Sequence, residues 1–363
     1  MDYFESLLDR LLSLQSVALK DTLGHIPWNI WKSCVSRPHI TSLSYDAGQH
    51  DLQIPPFPSD EVEATSVALQ TFSYTTTMWR EWVNDTEFVR DVTVLRTPLT
   101  MRPVFKFERE CLSAIVLRMH KTAVSLTLPL ESTPILAMAG LPWLNLKELN
   151  LHGRLLDTIQ IKHIRSLLPS LTSLARLSIL AARPLTFERP PSISNPASPP
   201  EREVRFYTTH LPIVLRSSTA RSPEPRFPQL RILEISGPDP VDGIFSIPMP
   251  MLSRLVLCDH PREYHLHVLR GEIVEGNRMK KPWYSPSPTN GELLSILRRM
   301  ELPLLTSLEI TYHLTPRRDS DYPLLSHIVN AFPRLRHLEI HRYRINRREL
   351  TRYVRPLPRT TAA

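Results

Sequence analysis

At 363 residues, with 42% apolar and 22% charged side chains, the chain can bury a large core and falls outside the disordered and collagen-like classes. Its cysteines, Cys34, Cys111 and Cys258, lie far apart and include an odd one, which argues against a disulfide framework and for a reducing compartment. The formal charge of +8 is moderate, and no run of about 18 apolar residues suggests a membrane span.

In chain order, Phe4, Leu7, Leu8 and Leu11 fall on one face of a first helix. The acidic start of that helix, from Met1, is no signal peptide. Leu14 to Leu19 reads as a first strand. A second helix starts near Pro27 and carries Ile30, Trp31 and Cys34; a strand from Ile40 to Tyr45 follows Arg37-Pro38. Weaker units are expected at Ala64 to Leu69 and around Val92 to Val94. Leu112, Ile115, Val116 and Met119 make a helical stripe before a strand at Val124 to Leu128. A short helix from Thr133 to Leu141 leads to a strand at 146–151, and Leu156, Ile159, Ile164, Leu167 and Leu168 line a helix that ends at Pro169. Thr289 and Glu292 match a capping box for a helix with the stripe Leu293, Ile296, Leu297 and Met300. Asp321 is placed to cap a last helix facing inward through Leu325, Ile328, Val329 and Phe332.

One frame recurs through these elements: a bulky residue, Pro, then Leu-x-x-Leu-x-Ile/Leu. It is plain at Phe332-Pro333 with Leu335, Leu338 and Ile340, at Leu302-Pro303 with Leu305, Leu308 and Ile310, and at Phe227-Pro228 with Leu230, Leu233 and Ile235. Further copies lie at Leu141-Pro142, Leu168-Pro169 and Met249-Pro250. Two apolar residues two apart share one face of a strand, while the residue between them faces the other way. Proline before them lacks an amide hydrogen and drives its predecessor into an extended conformation, so a helix stops and a strand begins. A lone strand of this kind cannot cover its apolar face, whereas stacked copies bury a continuous core. Most successive frames lie 22 to 30 residues apart (for example 230 to 252 and 305 to 335), and two gaps, 174 to 230 and 252 to 305, are about double. The common spacing is close to the roughly 20–29 of leucine-rich repeats. The expected fold is therefore α/β, a horseshoe solenoid with parallel strands on its concave face and helices on its convex face.

The expected domain is a single repeat unit over 1–345, followed by a basic tail over 346–363. It carries a Pro/Ser-rich insertion at about 185–226 and a loop insertion at about 260–288, the latter with an extra strand at Tyr264 to Val268.

Patterns for chemistry are sparse. Walker, dinucleotide, nucleophile-elbow, H-E-x-x-H and C-x-x-C motifs are missing. Cys258, His260, His265 and His267 are the best metal-like grouping, but their spacing fits no familiar tetrahedral set, so no metal or cofactor is assigned and no enzymatic activity is expected. An enzyme hidden in the insertions would depend on His265 and His267. Between Arg334 and Arg359 lie 9 arginines with Tyr343 and Tyr353 among them, opposed by Glu339 and Glu349. Such a run could grip phosphates through Arg342, Arg344, Arg347 and Arg348. With no nucleic-acid motif beside it, it reads instead as a solvated end helix closing the repeats.

The residues between the apolar pairs are the candidates for partner binding on the concave sheet. They are Glu148, Asn150 and His152; Arg176 and Ser178; Glu234 and Ser236; Ser307, Glu309 and Thr311; and His337, Glu339 and His341. Solenoids use such a surface to hold another macromolecule.

The contexts Ser36-Arg37-Pro38-His39-Ile40, Leu141-Pro142-Trp143, Leu149-Asn150-Leu151-His152-Gly153-Arg154 and His341-Arg342-Tyr343-Arg344 resemble the F-box/leucine-rich-repeat-like proteins of mushroom-forming fungi, over most of residues 10–345. The resemblance implies a protein partner, specifically a ubiquitination substrate held by the repeats, and a cytoplasmic or nuclear location. It implies a ubiquitin-ligase adaptor only where an F-box lies upstream. Here Leu7, Leu8, Leu11 and Leu12 precede the first strand too closely to supply that three-helix module. Two expectations follow: a sequence shortened at its N-terminus, or a repeat-only scaffold that binds without recruiting a ligase. Neither a membrane nor a nucleic acid is the expected partner.

Overall fold

The computed structural model describes residues 2–20, 28–47, 67–76, 103–154, 158–182, 186–188, 205–207, 227–259, 287–314 and 320–344. Ten strands form one all-parallel sheet. In sheet order they are β1 (Ser16–Lys20), β2 (Ser42–Ala47), β3 (Thr71–Thr76), β4 (Ser125–Pro129), β5 (Glu148–Arg154) and β6 (Arg176–Ala182). After these come β9 (Ile232–Ser236), β10 (Arg254–Cys258), β11 (Ser307–Leu314) and β12 (His337–Arg344). Each strand thus lies beside its chain neighbour, except that β6 pairs directly with β9. Between those two, β7 (Thr186–Glu188) and β8 (Arg205–Tyr207) make a separate antiparallel ribbon, which is the described part of the long insertion.

Helices alternate with the strands: α1 (Asp2–Arg10), α2 (Trp28–Val35), α3 (Pro103–Val116), α4 (Ile135–Ala139), α5 (Thr158–Leu167), α6 (Asn290–Arg298) and α7 (Tyr322–Ala331). The bulky-residue–proline frame explains the joints. Phe227, Met249, Leu302 and Phe332 each accept, through their carbonyls, the amide of the leucine three residues on (3.0–3.3 Å). This is a β-turn with proline at its second position, where the ring's fixed φ fits and no amide is needed. The turn drops that leucine under the sheet: Leu230, Leu252 and Leu305 are fully buried.

One backbone device then repeats at every joint of the sheet. A single carbonyl in each unit accepts two successive amides of the next unit, at 2.7–3.1 Å. Gln15 receives Thr41 and Ser42, Lys147 receives Ala175 and Arg176, and Ala175 receives Arg231 and Ile232; the series ends with Thr306 receiving Arg336 and His337. Equivalent positions therefore lie level across all ten strands. The apolar pairs Leu149/Leu151, Leu177/Ile179, Leu233/Ile235, Leu255/Leu257 and Leu308/Ile310 are buried in one continuous core with the helices. Each such side chain is worth about 1.5–3 kcal/mol relative to exposure. On β12, Leu338 and Ile340 hold the same positions but remain 42% and 37% exposed, because no further strand or helix among the described residues covers them.

Several expectations need correction. Of the unit expected at Ala64 to Leu69, residues 64–66 lie outside the described residues and 67–69 are not strand: β3 begins at Thr71, Leu69 is the leucine beneath the turn, and Phe72 and Tyr74 stand where aliphatic residues stand elsewhere. Those aromatics belong to a cluster in which Trp31 of α2 meets Tyr45 edge-on (ring centroids 4.8 Å) and Tyr45 meets Tyr74 (5.1 Å). The Thr289–Glu292 capping box forms in both directions. Asp321 precedes α7 but makes no capping bond; its carboxylate instead accepts from Arg342 on β12 (2.6 Å). The expected inward face of the last helix holds at Ile328 and Phe332, but Leu325 and Val329 are exposed and Leu324 is buried instead. Arg334 to Arg344 is not an end helix but a turn followed by β12. The units expected at 92–94 and 264–268 lie outside the described residues, and β10 pairs directly with β11. Among the described residues, no helix is long and apolar enough to cross a membrane.

Candidate functional site

The level register turns the non-core face of the sheet into rows of side chains at strand spacing. Along one row the first four strands place Ser16, Ser42, Thr71 and Ser125; the next places Glu148, and beyond it come Arg176, Ile232, Arg254, Ser307 and His337. In the adjacent row Ala18, Ser44, Ser73 and Thr127 give way to Asn150, Ser178, Glu234, the buried Val256, Glu309 and Glu339. The face is thus rich in hydroxyls over β1–β4, with Lys20 and Asp46 at the far ends of the first two strands, while most of its charged side chains lie on β5–β12 around the apolar Ile232 and Val256. That division was not read from the sequence, although the register of the repeated frame contains it.

The predicted binding residues all fall on this charged half, but not all of them face solvent. Glu148, His337, Glu339 and His341 are exposed, and Asn150, His152, Arg176, Ser307 and Glu309 are half-buried. Ser178, Glu234, Ser236 and Thr311 are buried, contrary to the expected outward alternation. The reason is mutual coverage. Arg176 lies across the face and donates to both carboxylate oxygens of Glu234, at 3.1 and 3.2 Å. Ser236 turns its hydroxyl back to the Ala181 carbonyl at 2.9 Å. Short side chains between long ones have no path to solvent.

The remaining pairs run strand to strand. Ser125 donates to Glu148 (3.1 Å) and Asn150 to Thr127 (3.1 Å). Arg254 approaches Glu309 at 3.8 Å, and Glu339 sits between His341 (2.9 Å) and His337 (3.7 Å). Three polar atoms near the centre, Asn150 Oδ1, His152 Nε2 and Arg176 Nε, are buried without a hydrogen-bond partner among the described residues. Burial holds the His152 imidazole below its usual pKa, so it is neutral at physiological pH. Buried polar atoms left unpaired in a folded protein call for an explanation, and a bound partner is one.

Among the described residues, neither Cys34 nor Cys258 is set up as a nucleophile. Burial, reinforced by the Glu309 and Asp259 carboxylates, pushes the Cys258 thiol up to about 12. Burial likewise lifts Cys34 to about 11, against the opposing pull of Arg37. His260, His265 and His267, the other members of the metal-like grouping, lie outside the described residues. The side-chain donors that do converge are Glu309, Glu339 and His341, whose ligand atoms lie within 4.8 Å of one another. A shallow depression lined by Leu304, Thr306, Pro333, Arg334, Leu335 and Arg336 lies at the turns entering β11 and β12.

No protein-family profile matches the chain, and no curated protein matches it. Among solved structures it is similar to a chain in the crystal structure of the Rad7 and Elc1 complex in yeast. The identity is 14% over 96% of this chain and 85% of that one, with a TM-score of 0.35, too loose a likeness to argue function from.

Proposed function

We propose that the chain is a non-enzymatic recognition module: a leucine-rich-repeat horseshoe over residues 1–345 whose concave sheet holds a partner protein through the charged half of its polar face. The observation that carries this reading is the level register, which sets Glu148, Arg254, His337, Glu339 and His341 as one exposed, mixed-charge row system on a rigid support. Mixed charge on regular strands suits electrostatic complementarity with a protein segment, where paired charges give specificity. A phosphate backbone would instead favour a uniformly basic surface. Arg342, the one arginine of the basic run with a described ion pair, is tied to Asp321 rather than directed to a ligand.

The finer form of the proposal is a substrate receptor related to those of F-box ubiquitin ligases, working in the cytoplasm or nucleus. The test is affinity purification of the tagged chain from its own cells, with mass spectrometry for the ligase adaptor and cullin. Recovery of both supports the ligase form. Specific retention of other proteins without them leaves a repeat-only scaffold and removes the ligase assignment.

A further inference from the structure

Near its C-terminal edge the sheet gathers two carboxylates and two imidazoles in a way protein binding does not require. His337, Glu339 and His341 alternate along β12, so all three point to the same face of the strand. Glu309 of β11 stands directly opposite Glu339 in the parallel register. Two like charges facing each other across neighbouring strands destabilise the pair unless something positive lies between them. Arg254 meets this need only from the far side, at 3.8 Å from Glu309. On the near side are imidazole nitrogens: His341 Nε2 at 2.9 Å from one Glu339 oxygen and His337 Nε2 at 3.7 Å from the other.

We propose that Glu309, Glu339 and His341 form a three-ligand binding site, with its fourth position open, for a divalent transition-metal ion of the zinc class. A tetrahedral ion with ligand bonds of about 2.0–2.2 Å needs donor atoms about 3.3–3.5 Å apart. The donor atoms of these three residues lie within 4.8 Å of one another, with His341 Nε2 2.9 Å from Glu339, so modest side-chain rotations bring them to that spacing. Mixed nitrogen and carboxylate donors favour zinc, cobalt or nickel over magnesium and calcium, which prefer all-oxygen shells. The ion would take the place of the His341–Glu339 hydrogen bond and neutralise the facing carboxylates. The cluster shares Glu339 and His341 with the proposed partner surface, and its zinc affinity is read on the free chain, whichever macromolecule that face holds.

The experiment is competition for Zn2+ between the untagged full-length chain and a chromophoric chelator. Because the chain has 14 histidines, the readout is one dominant site against a weak background. Glu309→Gln and His341→Gln should each weaken that site at least tenfold while leaving the thermal midpoint unchanged. His120→Gln, a histidine held by the Leu117 carbonyl far from the cluster, should not weaken it. Excess Mg2+ should not compete. Absence of a dominant site, or a dominant site untouched by both cluster substitutions, overturns the proposal.

Discussion

Arg176 and Glu234 join β6 to β9 across 58 residues of sequence, the guanidinium donating to both carboxylate oxygens at 3.1–3.2 Å. The pair spans the point where the long insertion leaves and re-enters the sheet. It therefore helps hold two strands in register that loop closure alone would leave poorly specified. The Glu234 side chain is 11% exposed and depends on that partner.

Arg176→Ala should lower stability by about 1–3 kcal/mol, because it strands a nearly buried carboxylate. Arg176→Met combined with Glu234→Leu should recover most of the loss. Urea midpoints of the three proteins check this. A single Arg176→Ala variant as stable as the parent would mean that the bridge adds nothing to the joint.

Gly153 sets a second constraint. It lies at φ +124°, and the Glu131 carboxylate packs where a Cβ would stand. Gly153→Ala should therefore cost about 1–3 kcal/mol through backbone strain and displacement of Glu131. At Gly140, φ is −83° and a Cβ would meet only the Ala137 carbonyl at 3.6 Å, so Gly140→Ala should be close to neutral. Thermal unfolding of the two variants side by side discriminates a local constraint from a general intolerance of this region.

His152 predicts a pH dependence. Its folded-state pKa lies below 6.5, so on acidification the unfolded chain takes up the proton first. Stability is then full above about pH 6.5 and falls as the pH drops below it. His152→Leu should flatten the stability profile between about pH 7.5 and 5.5 relative to the parent. Parallel profiles for both proteins would show that other groups carry the acid sensitivity.

Much of the sheet was legible because its repeated frame is a local code. Proline at a turn, a leucine beneath it and two apolar residues two apart fix a strand regardless of what lies far away, as at Phe227 to Ile235 and Leu302 to Ile310. The code slipped at β3, where Phe72 and Tyr74 replace aliphatic residues and Val67 and Leu69 imitate an earlier frame. It also failed at the last unit. Helical periodicity marks Leu325 and Val329 as inward only if a further layer lies beside α7, and among the described residues none does. Asp321 had the spacing of a cap but also a charged neighbour, and an ion pair with Arg342 outcompetes a neutral capping bond. For the site, alternation placed the right residues on the right face but could not tell Glu339 from Glu234. Exposure there depends on which long side chain lies across its neighbour, and that is a property of packing between strands distant in sequence.

The central claim, that the charged half of the sheet face holds a protein partner, is tested most directly by comparing what co-purifies with the parent chain and with a double variant, Glu148→Arg with Arg254→Glu. Both positions are exposed, so the fold should survive, as a control Lys162→Glu on the solvent side of α5 should also show. The account predicts that proteins specifically retained by the parent and by the Lys162→Glu control are lost from the double variant. Undiminished recovery with the double variant would contradict it and place recognition elsewhere on the molecule.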